Sequence, residues 1–178
     1  MNYVIAVVAV LVAVILDQYT KGLAITHLKG KESISVVDGV FRLEYLENKG
    51  AAWGMLQNQW IFLLLITIIV LTLIAILYVR LPKSKQYIPL RICMIFITAG
   101  AIGNMIDRIR YKYVVDFLYF ELIDFPIFNV ADVFVSVSAC VLVALTLFYY
   151  KDKDFDLIFA SLRLKRCKKQ EKHDEHDI

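Results

Sequence analysis

Four runs of mostly apolar residues, Tyr3 to Ile25, Trp60 to Val79, Ile88 to Ile106 and Ile127 to Tyr150, leave this chain few architectures to choose from. A run of roughly 20 apolar residues wound into α-helix matches the thickness of a bilayer's hydrocarbon core. Backbone groups in lipid must satisfy their own hydrogen bonds, which a helix does within one segment. The chain is 60% hydrophobic with a mean hydropathy of +0.64, well above the roughly 45–50% apolar content of a soluble domain. We therefore expect an α-helical integral membrane protein with four transmembrane helices. A small net charge of +3 gives no basic surface for nucleic acid, and no nucleic-acid partner is expected.

Orientation is read from lysine and arginine, which collect in cytoplasmic loops. Arg80, Lys83, Lys85 and Arg91 lie between the second and third runs with no acid among them. That loop is expected inside, and with four spans both termini join it there. Tyr3 to Leu16 has the length of a signal-peptide core, but no positive region precedes it and no small-residue cleavage site follows. It is expected to remain as the first span.

The runs are interrupted by polar residues at particular depths. Asp17 lies two-thirds of the way along the first, about 20 Å at the helical rise. Asn104 and Asp107 end the third, and Asn129 and Asp132 begin the fourth. In the expected topology all of these reach one depth near the outer surface, joined by Asp116 from the connection between the last two spans. An ionisable residue within a membrane span is costly to bury and marks a functional candidate by default. The second run has no such interruption and reads as a scaffold helix facing lipid.

The outer loop, Leu28 to Gln59, is long enough to fold. Asp38-Gly39 between β-branched and aromatic residues is a hairpin signal, so a small extracytoplasmic antiparallel β-sheet is expected within about residues 33–58. Trp53 and Trp60 are placed at interface height. Residues 1–150 form one membrane-embedded unit in this reading, and residues 151–178 a charged cytoplasmic tail. Leu157-Ile158-Phe159 with Leu162 and Leu164 could rest on the inner leaflet as an amphipathic turn. His173 and His176 lack a scaffold and a third ligand, so the tail is read as solvated rather than metal-binding. The widely spaced Cys93, Cys140 and Cys167 suggest neither a disulfide framework nor a metal site.

Chemistry at the polar cluster has to come from carboxylates. The outer side holds no serine with histidine, no cysteine and no glycine-rich phosphate loop. Two carboxylates in a low-dielectric pocket can share a proton, one serving as base and the other as acid. Spacing does not decide which two of Asp17, Asp107, Asp116 and Asp132 pair. Asp107 is followed by Arg108, and an ion pair or helix-end role would keep it charged. Asp116 has apolar flanks that would raise its pKa. Asp132 has Asn129 one turn before it, able to orient a carboxylate without neutralising it, although an acid in a first helical turn also simply complements the helix dipole. For Asp17 an interhelical hydrogen-bond role weighs about as much as direct chemistry. A proton-coupled transporter would need polar residues through the whole membrane depth, and the inner halves of the spans are nearly free of charge. A membrane assembly protein would leave the acids without a task.

Five segments in order, Asp17-Gln18-Tyr19-Thr20-Lys21, Asn48-Lys49-Gly50-Ala51-Ala52-Trp53-Gly54, Gly103-Asn104-Met105-Ile106-Asp107-Arg108, Val114-Val115-Asp116-Phe117 and Phe128-Asn129-Val130-Ala131-Asp132, resemble the motifs of the bacterial lipoprotein signal peptidases, signal peptidase II. The resemblance runs to about Tyr150. It implies an intramembrane aspartyl endopeptidase of the bacterial cytoplasmic membrane, with its active site on the extracytoplasmic side. Its catalytic dyad falls on Asp116 and Asp132. Asp17, Asn48, Gly50, Asn104, Asp107, Arg108, Asn129 and Ala131 then support the site or contact substrate. The implied substrate is a diacylglyceryl-modified prolipoprotein cut on the amino side of its lipidated cysteine. Membrane lipid is the other partner, a monomer the expected unit, and no cofactor or metal is called for.

Overall fold

A computed structural model describes residues 2–51 and 55–163, with the side chains of residues 161–163 left aside. Trp53, Leu164, Cys167 and the tail histidines lie outside the described residues, as does the side chain of Leu162. The elements run α1 (Tyr3–Leu28), β1 (Ile34–Val37), β2 (Phe41–Asn48), α2 (Trp60–Arg80), α3 (Ile88–Tyr111), β3 (Val114–Tyr119), α4 (Val130–Ala144) and α5 (Asp152–Arg163), with a π-helical turn over Leu145–Tyr149 extending α4. Four of these helices are long and apolar enough to cross a membrane.

The helices bury very different shares of themselves. In α2 only Leu63 is buried, as expected of a scaffold helix whose apolar surface faces lipid. By contrast α3 sits at the centre and buries residues from Leu90 to Asp107. The first span reaches Leu28 and the third Tyr111, both longer than hydropathy indicates, and the fourth starts at Val130 rather than Ile127. Charged residues such as Arg108 and Arg110 lower the hydropathy of a helix end without breaking its hydrogen bonds. The α3 helix stops where Lys112 turns left-handed at φ 66°.

The sheet is antiparallel in the order β1-β2-β3. Its hairpin turns at Asp38-Gly39, with Gly39 at φ 69°, a conformation that glycine adopts without steric cost. The third strand comes from the connection between α3 and α4, beyond the region where the hairpin is expected. Val115 and Phe117 pack with Ala24 and Leu28 of α1. Alternation along the strand then turns Asp116 to the opposite face.

At the other end of the bundle Leu81, Tyr87, Leu90, Met94 and Tyr150 form a second core, with Phe155 and Ile158 of α5 packed against it. The first dozen tail residues thus form a helix docked on the bundle. Leu157 and Phe159 stay exposed on the flanks of its docked face. Cys93 and Cys140 are free thiols, the first buried and the second exposed.

Candidate active site

Three short-range devices bring Asp116 and Asp132 to one place. Pairing of β2 with β3 sets Leu46 opposite Asp116 and Asn48 opposite Val114, so Asn48 is the diagonal neighbour of Asp116. Asn48 Nδ2 donates to Asp116 Oδ2 at 2.9 Å. The chain beyond β3 then loops back, and Phe128 exchanges backbone hydrogen bonds with Leu118 at 2.8 and 3.0 Å. That bridge holds Asn129 beside the strand immediately before α4 begins.

Asn129 and Asp132 next close a capping box at the start of α4. The Asp132 N–H donates to Asn129 Oδ1 at 3.0 Å, and the Asn129 N–H donates to Asp132 Oδ2 at 3.2 Å. The expectation that the Asn129 side chain orients the Asp132 carboxylate is corrected here. Its Nδ2 donates instead to Asp116 Oδ1 at 2.6 Å and to Asn104 Oδ1 at 3.2 Å. The side chain that holds the Asp132 carboxylate is Asn104, whose Nδ2 donates to Oδ1 at 2.8 Å. Each of the four oxygens of Asp116 and Asp132 thus accepts one hydrogen bond, and a single residue, Asn129, reaches both carboxyls.

Behind this pair lies a second polar layer. Lys21 Nζ is 3.0 Å from Asp17 Oδ2, 3.0 Å from Asp107 Oδ2 and 2.9 Å from Asn104 Oδ1. Asp17 Oδ1 accepts the N–H of Ala131 at 2.9 Å, the interhelical bond weighed for it, which ties α1 to the first turn of α4. Asp107 Oδ2 accepts the N–H of Val115 at 3.1 Å, and its Oδ1 accepts from Gln18 at 2.9 Å. The ion pair of Asp107 is therefore with Lys21, not with its neighbour Arg108. Arg108 points elsewhere and donates to the carbonyl of Gly50 at 3.2 Å. Gly50 is itself held by Asn48, whose Oδ1 accepts its N–H at 2.9 Å.

Close helix contact makes the layer possible. A Cβ on Gly103 would collide with Asp17 Oδ2 and sit 3.3 Å from the Cβ of Ala131; one on Gly100 would collide with the carbonyl oxygen of Ala131. Small residues let helix backbones approach this way in membrane bundles. Lys21 and Gln18 are the site members that residue-by-residue reading passes over. A lysine four residues after an aspartate looks like a local helix pair, and its second partner lies far along the chain.

Four carboxylates, Asp17, Asp107, Asp116 and Asp132, face two cations, Lys21 and Arg108, in a cluster that is buried at the rear and half-buried at Asp132 and Arg108. Asp17, Asp107 and Asp116 are each at most 1% exposed. Lys21 ion-pairs with both Asp17 and Asp107, while among the described residues no ion pair reaches Asp116 or Asp132. Burial first, and the charge of Asp132 second, push the Asp116 carboxyl up to about 7 from its ordinary 3.8, against the opposing pull of Asn48, Asn129 and Lys21. Near neutral pH such a group can carry a proton and release it, as general acid–base chemistry requires. Among the described residues no cluster of three or more metal-ligating side chains occurs.

A family model described as signal peptidase (SPase) II matches residues 9–148. The lipoprotein signal peptidase of Clostridium tetani is 42% identical over 140 residues, covering 77% of this chain and 88% of that protein. Its counterpart from Caldanaerobacter subterraneus subsp. tengcongensis is 44% identical over 144 residues, covering 80% and 96%. A bacterial membrane enzyme solved in meso at 2.3 Å resolution superposes with a TM-score of 0.72 at 32% identity, covering 83% of this chain and 92% of that one.

Proposed function

The chain belongs to the signal peptidase II family, and from that premise we propose that it removes signal peptides from prolipoproteins through a carboxylate dyad of Asp116 and Asp132. Family membership together with four membrane-capable helices makes it a multi-pass membrane protease of lipoprotein processing. The observation that carries the dyad is that a buried and a half-buried carboxylate, Asp116 and Asp132, share Asn129 as a donor while the remaining acids of the cluster are engaged by Lys21 and by backbone N–H groups.

In this reading Asp116 holds the proton at neutral pH and Asp132 acts as base. Asp132 takes a proton from a water molecule as its oxygen bonds to the scissile carbonyl carbon. Asp116 gives its proton to the departing amide nitrogen as the C–N bond breaks. Asn48, Asn104 and Asn129 hold the carboxyls, Asp17 with Ala131 holds the helix that carries Asp132, Asp107 holds the strand that carries Asp116, and Arg108 with Gly50 lines the approach for peptide. The substrate is a diacylglyceryl-modified prolipoprotein, cut before its lipidated cysteine. Its acyl chains would enter from the bilayer and its peptide from above.

Asp116→Asn and Asp132→Asn, each nearly isosteric, should each lower cleavage of a diacylglyceryl peptide by about 10²- to 10⁴-fold, the usual contribution of acid–base catalysis, while still folding and inserting. Full activity in either purified protein would overturn the dyad. The basic loop around Lys83 supports placing the sheet outside the bacterial cytoplasmic membrane and residues 151–178 inside as a tail. A cysteine in place of the exposed Val36, with the native cysteines replaced, should then react with an impermeant thiol reagent on intact cells. Labelling only after lysis would reverse the orientation.

A further inference from the structure

Two of the three asparagine amides at the dyad, those of Asn104 and Asn129, could each face either way by shape alone, and two groups that can only donate decide the matter. An ammonium has three donors and no acceptor. Lys21 Nζ meets Asp17, Asp107 and Asn104, so the Asn104 atom turned toward it at 2.9 Å has to be the carbonyl oxygen. Its amide nitrogen is thereby committed to Asp132 Oδ1 at 2.8 Å. At Asn129 the Asp132 backbone N–H plays the same part, which commits that amide nitrogen to Asp116. The Lys21 side chain is 3% exposed, so its ammonium is committed to these three acceptors rather than to bulk solvent.

Every neighbour of Lys21 other than Asn104 has a separate structural task. Asp17 caps α4 through Ala131, and Asp107 fastens β3 through Val115. Only the contact with Asn104 continues to a dyad carboxyl. Resting on the dyad reading above, we propose that Lys21 is a positioning residue for the reaction: its ammonium locks the Asn104 amide so that it always offers an N–H, never its carbonyl oxygen, to the carboxylate of Asp132.

Without the ammonium the Asn104 amide can turn over. A carbonyl oxygen facing Asp132 favours a carboxyl that keeps its proton, and a protonated carboxyl cannot activate water. Loss of the positive charge acts in the same direction. The ionisable groups around Asp132 are Asp17 and Lys21 of α1, Asp107 and Arg108 of α3, and Asp116 of β3, and of these only Lys21 and Arg108 oppose protonation.

Cleavage of a diacylglyceryl peptide by purified protein in nanodiscs, followed across pH, tests this. Lys21→Met should lower kcat by about tenfold or more, within the range that misplaced catalytic groups cost, with little change in KM. Its acid limb should move up by about half a pH unit or more. Lys21→Arg, which still only donates, should recover most of kcat and return the limb. Asn104→Asp keeps a partner for Lys21 and serves should Lys21→Met fail to fold: it should lose kcat at neutral pH and regain it toward acid pH, where its carboxyl again has a proton to donate. A folded Lys21→Met with unchanged kcat and pH profile would overturn the proposal, as would an Asn104→Asp profile identical to the parent. Asp116→Asn and Asp132→Asn are run alongside, and activity in those would defeat the dyad itself, whatever Lys21 shows.

Discussion

The two ends of the bundle both bury charge, and they use it differently. At the end opposite the sheet, Arg91 is 3% exposed and donates to the carbonyls of Tyr78, Leu81 and Pro82, with its guanidinium over the Tyr78 ring. Asp154 accepts the N–H of Lys151, and the hydroxyls of Tyr87 and Tyr150 donate to the carbonyls of Asp154 and Gln86. These bonds answer backbone groups left over at helix ends. At the sheet end, side chains also answer side chains from separate elements, and carboxylates outnumber cations. A polar group spent on a backbone terminus is accounted for by folding alone. An excess of acids held by amides from separate elements is not.

That contrast can be broken from either side. Gly103→Val should do the most damage, because its side chain would displace Asp17 and Ala131 together. We expect about 3 kcal/mol of destabilisation, typical of overpacking, with activity lost in proportion, read by thermal unfolding in detergent and by peptide cleavage. Stability equal to the parent would mean that α3 and α4 are not locked at this contact.

Second in size is the pH response. Asp116, raised to about 7, is protonated below that value and ionises above it. Activity should therefore decline above about pH 7, by about tenfold per unit, with an apparent pKa that belongs to the coupled pair. The linked stability has the same sign: a carboxyl raised in the fold costs stability as pH climbs from about 4, where the unfolded group titrates, through about 7. A flat activity profile to pH 9 would remove Asp116 as the acid. Arg91→Met should give the smallest and purest effect, about 1–3 kcal/mol lost from the uncapped carbonyls of α2 with kcat unchanged. A fall in kcat at constant fold would erase the distinction between the two ends.

Much of this was legible in residue order because the signals are local. Runs of apolar residues mark the four long helices, and Asp38-Gly39 marks the hairpin, since each signal lies within one element. The partners of the polar residues were less legible. Asp107 next to Arg108 suggests a pair, yet in a helix adjacent side chains diverge, and the true partner Lys21 comes from α1. Asn129 before Asp132 suggests that one side chain orients the other, whereas the capping box turns the Asn129 amide toward Asp116. The helix α5 is hidden from hydropathy by its three aspartates, Lys153 and Arg163, because hydropathy averages around a helix whose apolar residues fall on one side.

The capping box gives one pair of residues two duties. Asp132 closes the first turn of α4 and also belongs to the proposed dyad, and Asn129 completes the same turn while reaching Asp116. A substitution that removes the capping oxygen at either position therefore perturbs helix initiation and the proposed proton transfer at once, whereas Asp132→Asn keeps an oxygen that can accept the Asn129 N–H. Such a site has little room to drift, since a change that spares the chemistry must also restart the helix. The first turn of α4 and the proposed dyad are closed by the same two hydrogen bonds, so a chain whose fourth helix has frayed should be inactive before it is unfolded.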